Sequence, residues 1–275
     1  MRLVTFSRAG ASPEVGVVEG DQVAPLAGVA DMIAALGLGM DGLKSAAKGA
    51  HAALASVKIH APIPRPRKLI CIGLNYRDHA IESNMEIPKL PTVFNKFATS
   101  VIAPGETVIL PKMSEKPDYE AEFAFVIGKG GRKIAAANWR DHVIGYTIVN
   151  DVSARDIQLA TSQWLMGKTF DTFAPMGPYI TTADEIADPH NLNISLDLNG
   201  QTLQNSNTRE LIFKIPELIE FLSSVFTLET GDIVSTGTPA GVGFARKPPV
   251  LLKPGDSMTV KVQGLGELTN PVAGE

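Results

Sequence analysis

Between Pro117 and Gln158 the chain reads Pro-Asp-Tyr-Glu-Ala-Glu-Phe-Ala-Phe-Val-Ile-Gly and then, after a turn, Gly-Tyr-Thr-Ile-Val-Asn-Asp-Val-Ser-Ala-Arg-Asp-Ile-Gln. Asp118, Glu120 and Glu122 alternate with Tyr119, Ala121 and Phe123. On a strand that alternation puts the carboxylates on one face and the apolar groups on the other. Side chains two apart on a strand lie roughly 6.5–7 Å apart along it. Carboxylates that close repel, and away from water they take up protons or share a cation. The strand continues as Ala124-Phe125-Val126-Ile127, apolar on both faces and so expected to be buried. Asp151 ends a second apolar strand, where an unpartnered carboxylate is uncommon. A solvated strand face explains the alternation alone. With Asp151 added, two glutamates and an aspartate make a hard oxygen site suited to Mg²⁺ or Mn²⁺ and ill suited to structural zinc.

His79 and Glu82 are three residues apart and touch if the segment is helical. Alone they read as a surface pair worth about 0.2–0.5 kcal/mol. In an active site they would be a histidine base held in one tautomer by a carboxylate. Lys168, between Gly167 and Thr169, reads by itself as a solvated loop lysine. Arg155 reads as a salt-bridge residue, with Asp151 or Asp156 as the obvious partners. Thr236–Gly243 is glycine-rich, but it lacks the Gly-Lys-Ser/Thr ending of a phosphate loop, and Pro239 removes an N–H donor.

The elements that must position these residues follow from turns and periodicity. Leu3–Phe6, Val15–Glu19 and Gln22–Leu26 read as strands, followed by Ala-rich helices at Ala30–Leu38 and Leu43–Ser56. Three prolines between Pro62 and Pro66 exclude helix and central strand, and mark a linker closing a small N-terminal domain at 1–62. The remainder, 63–275, opens with a buried strand at Lys68–Ile72 and a short helix capped by Asn75 or Asp78. Strands at Pro91–Phe97, Glu106–Leu110 and 143–150 flank the acidic strand. A helix is predicted from Ser153, whose spacing to Asp156 is that of a capping box. Residues 164–178 read as loop, and Asn199-Gly200 as a hairpin turn. Ile215–Phe226 reads as an amphipathic helix, and Ser257–Val262 and Glu267–Val272 as closing strands. Strands outnumber helices without regular alternation, which predicts an α+β, mainly β fold.

Of 275 residues, 44% are hydrophobic and 20% charged, an ordinary globular balance. A net charge of −4 gives no electrostatic case for nucleic acid or an anionic membrane. No apolar run approaches the roughly 20 residues of a membrane helix, and the N-terminus does not read as a secretory signal. The single cysteine, Cys71, excludes an intrachain disulfide and reads as a small buried hydrophobe. The expectation is a soluble, cytoplasmic protein.

Five stretches occur in an order that resembles the fumarylacetoacetate hydrolase family. They are Gly73-Leu-Asn-Tyr-Arg-Asp-His-Ala, Tyr119-Glu-Ala-Glu, Asn150–Gln158, Gly167–Pro178 and Gly231–Gly243. The resemblance runs from about residue 63 to the C-terminus. It implies a mixed β-roll catalytic domain, a homodimer, and Mg²⁺ or Mn²⁺ held by Glu120, Glu122 and Asp151. Asp118 lies outside that ligand set. His79 and Glu82 would be a water-activating pair on a lid, Lys168 an active-site lysine, and Arg155, Gln158 and Thr238 substrate contacts. The implied reaction is hydrolysis of a C–C bond in a β-diketo acid such as an acylpyruvate, through a metal-stabilised enolate. Oxaloacetate decarboxylation or isomerisation of a 2-hydroxy-diene-dioate would use the same site without an attacking water. A metal-binding protein without turnover is the third reading.

Overall fold

The computed structural model describes residues 1–275 and is mainly β. Its centre is the strand Ala121–Ile127, buried along its whole length. Period two sorts its side chains between two cores. Ala121, Phe123, Phe125 and Ile127 enter the larger core, and Ala124 and Val126 enter the second. Both faces are apolar because both are covered, as the sequence predicted.

The strand lies in a mixed sheet. On one side it pairs antiparallel with Val143–Asn150, which pairs with Ala174–Thr182. On the other it pairs with Ile233–Ser235, followed by Leu69–Gly73 and the edge strand Thr92–Lys96. A five-stranded sheet includes Asn193–Leu198, Gln201–Asn207, Ser257–Val262 and Gly266–Gly274. The larger core fills the space between the sheets, with Phe123 and Ile148 from one and Leu196 and Val260 from the other.

The N-terminal strands are hydrogen-bonded into the same large sheet. Leu3 pairs with Ile180, and Glu14–Glu19 and Gln22–Pro25 extend the sheet outward. Met32, Ala35 and Leu36 of the helix Met32–Gly37 pack in one core with Leu69, Cys71 and Val149. The segment assigned to residues 1–62 therefore shares its hydrophobic interior with the rest of the chain.

Several local expectations need correction. The second helix spans Gly39–Ser45, not Leu43–Ser56, because Ala52–Ala53 pairs as a strand with Gln22 and Val23. Sheet pairing there overrides the helix propensity of alanine. The helix Arg77–Glu82 has no side-chain cap. Asn75 instead donates to the carbonyls of Phe213 and Thr236, and Asp78 accepts from Ser206. The capping box at Ser153 does not form, since the Arg155–Gln158 turn begins after Ala154 and Ser153 donates to the Asp151 carbonyl. Part of the expected 164–178 loop is ordered as the helical turn Leu165–Lys168 and the strand Ala174–Thr182. The Asn199-Gly200 hairpin forms as expected, with φ of +53° and +81°.

Candidate active site

Antiparallel register brings the acidic groups together. Ala121 faces Asn150, so the start of one strand meets the end of the other, and the Asp151 N–H donates to the Glu120 carbonyl at 3.0 Å. Glu120, Glu122 and Asp151 are buried, with one carboxylate oxygen of each within 4.8 Å of the others. A solvated strand face is thereby excluded. The side of the strand that carries Glu122 continues inward as Ala124 and Val126, so the carboxylates sit at the rim of the second core.

Three buried cations face four buried carboxylates. Lys168 Nζ bridges Glu120 Oε2 at 2.7 Å and Asp151 Oδ2 at 2.9 Å. Lys96 Nζ lies 2.5 Å from Asp151 Oδ1 and donates to the Val152 carbonyl at 3.0 Å. Arg155 pairs with Asp118 and Glu120, not with Asp151 or Asp156 as expected. Its Nη1 is 2.5 Å from Glu120 Oε1 and its Nε is 2.9 Å from Asp118 Oδ2. Its Nη2 approaches the same Asp118 oxygen at 2.8 Å but out of line for a hydrogen bond. Asp156 accepts from Ser114 and from the Glu115 backbone instead. Glu122 has no cation of its own and accepts from the Ser235 hydroxyl and the Gly237 N–H.

The protonation pattern follows. Burial opposes ionisation of Glu120, but Arg155 and Lys168 outweigh it and hold the carboxyl at about 2. Burial pushes Glu122 well above the carboxylate range, and the neighbouring charges of Asp151 and Glu120 push it further. Burial disfavours the charged Lys168, yet Asp151 and Glu120 outweigh it and raise the ammonium above its ordinary value. Three oxygen-donor groups, one of them buried without a cation of its own, fit a hard divalent cation. No ion is needed to explain Glu120 or Asp151, which already have cations. It is Glu122 whose ionisation calls for one.

A cavity of about 370 Å³ opens over this cluster. That is near the lower end for small-molecule sites. Of the nine residues singled out from sequence, His79, Glu82, Glu120, Glu122, Arg155, Gln158, Lys168 and Thr238 line it, and Asp151 lies behind Lys168. His79 Nδ1 is 3.3 Å from Glu82 Oε2, and both Glu82 oxygens accept the Gly241 N–H, at 2.9 and 3.0 Å. Gln158 accepts from Arg155 at 3.1 Å, and Thr238 accepts from Gln204 at 2.8 Å. The opposite wall is apolar, with Phe94 and Trp164 meeting edge to face at 5.6 Å between centroids. Sequence reasoning missed Lys96. A lysine in an exposed edge strand carries no local mark of the burial that Asp151 imposes on it from 55 residues away.

The fold and this buried acidic cluster are those of a protein able to hold a divalent metal, and comparison with known proteins gives the family. Residues 68–273 match the family described as fumarylacetoacetate (FAA) hydrolase C-terminal, and the chain belongs to it. It is 51% identical over 219 residues to oxaloacetate tautomerase fahd2, mitochondrial, of Xenopus laevis, covering 79% of this chain and 69% of that protein. The solved 5-carboxymethyl-2-hydroxymuconate delta-isomerase of Mycobacterium smegmatis superposes with a TM-score of 0.85 at 34% identity, covering 100% of both chains. Maleylpyruvate hydrolase from Sphingobium sp. SYK-6, solved with manganese(II) and pyruvate, gives a TM-score of 0.83 at 32% identity, covering 100% of this chain and 99% of that one. No helix here is long and apolar enough to cross a membrane.

Proposed function

We propose that the chain is a divalent-metal-dependent enzyme that interconverts the enol and keto forms of a small 2-oxo dicarboxylic acid of the oxaloacetate type. The reading is carried by one observation: Glu120 and Glu122, clustered with Asp151 behind Lys168, line the same small cavity as the His79–Glu82 pair. Half-identity to an oxaloacetate tautomerase and the likeness to an isomerase support tautomerisation over the C–C hydrolysis that the sequence suggested. Mg²⁺ or Mn²⁺ held by the three carboxylates would supply Lewis acidity to the acid's carboxylate and 2-oxo group.

The protein's own groups account for the proton movements. Glu82 engages Nδ1 of His79, which leaves Nε2 as the free ring nitrogen. In the keto-to-enol direction Nε2 takes a proton from C3. The negative charge that collects on the 2-oxygen lies in the field of the Lys168 ammonium, which is fixed before the reaction begins. The His79 imidazolium then gives that proton to the 2-oxygen, which completes the enol and restores the neutral imidazole. Gln158 and Thr238 would orient the acid, and Phe94 and Trp164 exclude water from one side.

The test follows the ultraviolet absorbance of enolic oxaloacetate with Mn²⁺-loaded protein. Its decay should be faster than in buffer with the same free metal, and His79→Ala should slow it by about 10²-fold. A decay no faster than buffer would refute tautomerisation. Likeness to maleylpyruvate hydrolase supports a second reading, hydrolysis of an acylpyruvate. In that case acylpyruvate would be consumed with release of pyruvate while oxaloacetate is left at its background rate.

A further inference from the structure

Of the four buried carboxylates at the site, the chemistry above leaves Asp118 without a task. Asp118 is wholly buried and lies outside the triad. It accepts the backbone N–H groups of Gly243 at 2.8 Å and Phe244 at 3.1 Å, and Arg155 Nε at 2.9 Å. It also accepts the adjacent Tyr119 N–H at 2.9 Å. These donors join two separate elements. Gly243 and Phe244 close the glycine-rich loop, while Arg155 reaches past Asp118 to Glu120. Further back in the same loop, Gly241 holds both oxygens of Glu82.

The loop is pressed against the carboxylate as closely as its backbone permits. A Cβ at position 243 would lie 2.6 Å from Asp118 Oδ1 and 1.9 Å from the Val250 carbonyl oxygen. Gly237 and Gly241 have φ of +96° and +101°, so the loop relies on residues with wide conformational freedom. Ordering such a segment costs entropy, which charge-assisted bonds to a buried anion offset.

We infer that Asp118 is a positioning residue. It fastens the glycine-rich loop, and through Gly241 the helix bearing His79, to the arginine that faces Glu120. Asp118 acts through Arg155 and Gly241 and does not itself line the cavity. Its effect on ligand binding rests on the proposed 2-oxo acid reading, whereas the fastening is independent of what the cavity holds.

Hydrogen exchange on the full-length protein tests it. In Asp118→Asn, peptides covering 236–246 and 77–83 should exchange at least tenfold faster, with Ala121–Ile127 within twofold of wild type. Mn²⁺-loaded Asp118→Asn should bind oxalate, a planar dianion resembling a 2-oxo acid, at least tenfold more weakly. Its Mn²⁺ affinity should stay within twofold. Unchanged exchange in the loop, equal acceleration throughout the chain, or a matching loss of Mn²⁺ affinity overturns the inference. If the variant does not fold, denaturant-dependent exchange of the wild type decides. Segments 77–83 and 236–246 should open as one unit with a shared opening free energy, and two separate openings overturn the inference. Failure of the wild type to bind oxalate would count against the 2-oxo acid reading, leaving the exchange results to judge Asp118.

Discussion

Lys96 and Asp151 are both wholly buried, and their charged atoms lie 2.5 Å apart. Lys168 holds the other oxygen of the same aspartate. Asp151 is thus fixed from two sides, and its orientation does not depend on the lysine that faces the cavity. Lys96 supplies the part of that support that substrate would not disturb.

Removing one member of a buried pair leaves the other uncompensated, at a cost of roughly 3–5 kcal/mol. Lys168 still neutralises Asp151 in part, so we expect Lys96→Met to lose about 3 kcal/mol in urea unfolding of the metal-free protein. Saturating Mn²⁺ should return part of that loss, because the ion takes over as counter-charge. A metal-free variant as stable as wild type would contradict the role given to Lys96.

Glu122 sets the pH dependence of metal uptake. Its folded-state value is raised, first by burial and then by Asp151 and Glu120, so the metal-free protein keeps a proton there to higher pH than an ordinary carboxyl does. The stabilisation linked to that proton is complete below the unfolded value of about 4.3 and is lost as pH rises through the raised folded value. An incoming cation must displace the proton. Mn²⁺ affinity should therefore rise with pH, and calorimetry in buffers of different ionisation enthalpy should show net proton release on binding. Glu122→Gln should match or exceed the metal-free wild type in stability at pH 8 while losing at least 100-fold in Mn²⁺ affinity. Glu120 behaves oppositely. Held at about 2, it contributes stability above the unfolded value that disappears as pH falls toward 2.

Gly73 makes room for the aromatic wall. A Cβ there would lie 2.2 Å from the Trp164 ring, which cannot retreat without disturbing Phe94. Gly73→Ala should cost about 1–3 kcal/mol and shift the tryptophan emission. It should raise KM more than it lowers kcat, because the wall shapes the cavity and takes no part in proton transfer. An unchanged KM would remove Trp164 from the binding surface.

What the sequence made legible was local, and what it hid was long-range. The Glu120–Glu122 alternation is a period-two signal and the both-faced burial of Ala124–Ile127 a continuous apolar run, each contained in a few residues. His79 and Glu82 were readable for the same reason, being one helical turn apart. Arg155 was assigned the wrong partners because Asp151 and Asp156 are near in sequence, whereas Asp118 and Glu120 reach it through the Pro117–Asp118 pairing with Ser153–Ala154. Lys96 and Ser235 were missed because their partners, Asp151 and Glu122, are 55 and 113 residues away. The alanine run after Leu43 favoured helix locally, and only a strand pairing with Gln22 and Val23 decides otherwise.

Crystals soaked with Mn²⁺ and measured at the manganese edge test the convergence of the three carboxylates most directly. A single anomalous peak about 2.0–2.3 Å from one oxygen each of Glu120, Glu122 and Asp151 is expected, and it should vanish in Glu122→Gln. A peak bound elsewhere, or none at millimolar metal, would mean that the lysines and arginine already satisfy these acids and that no ion belongs there.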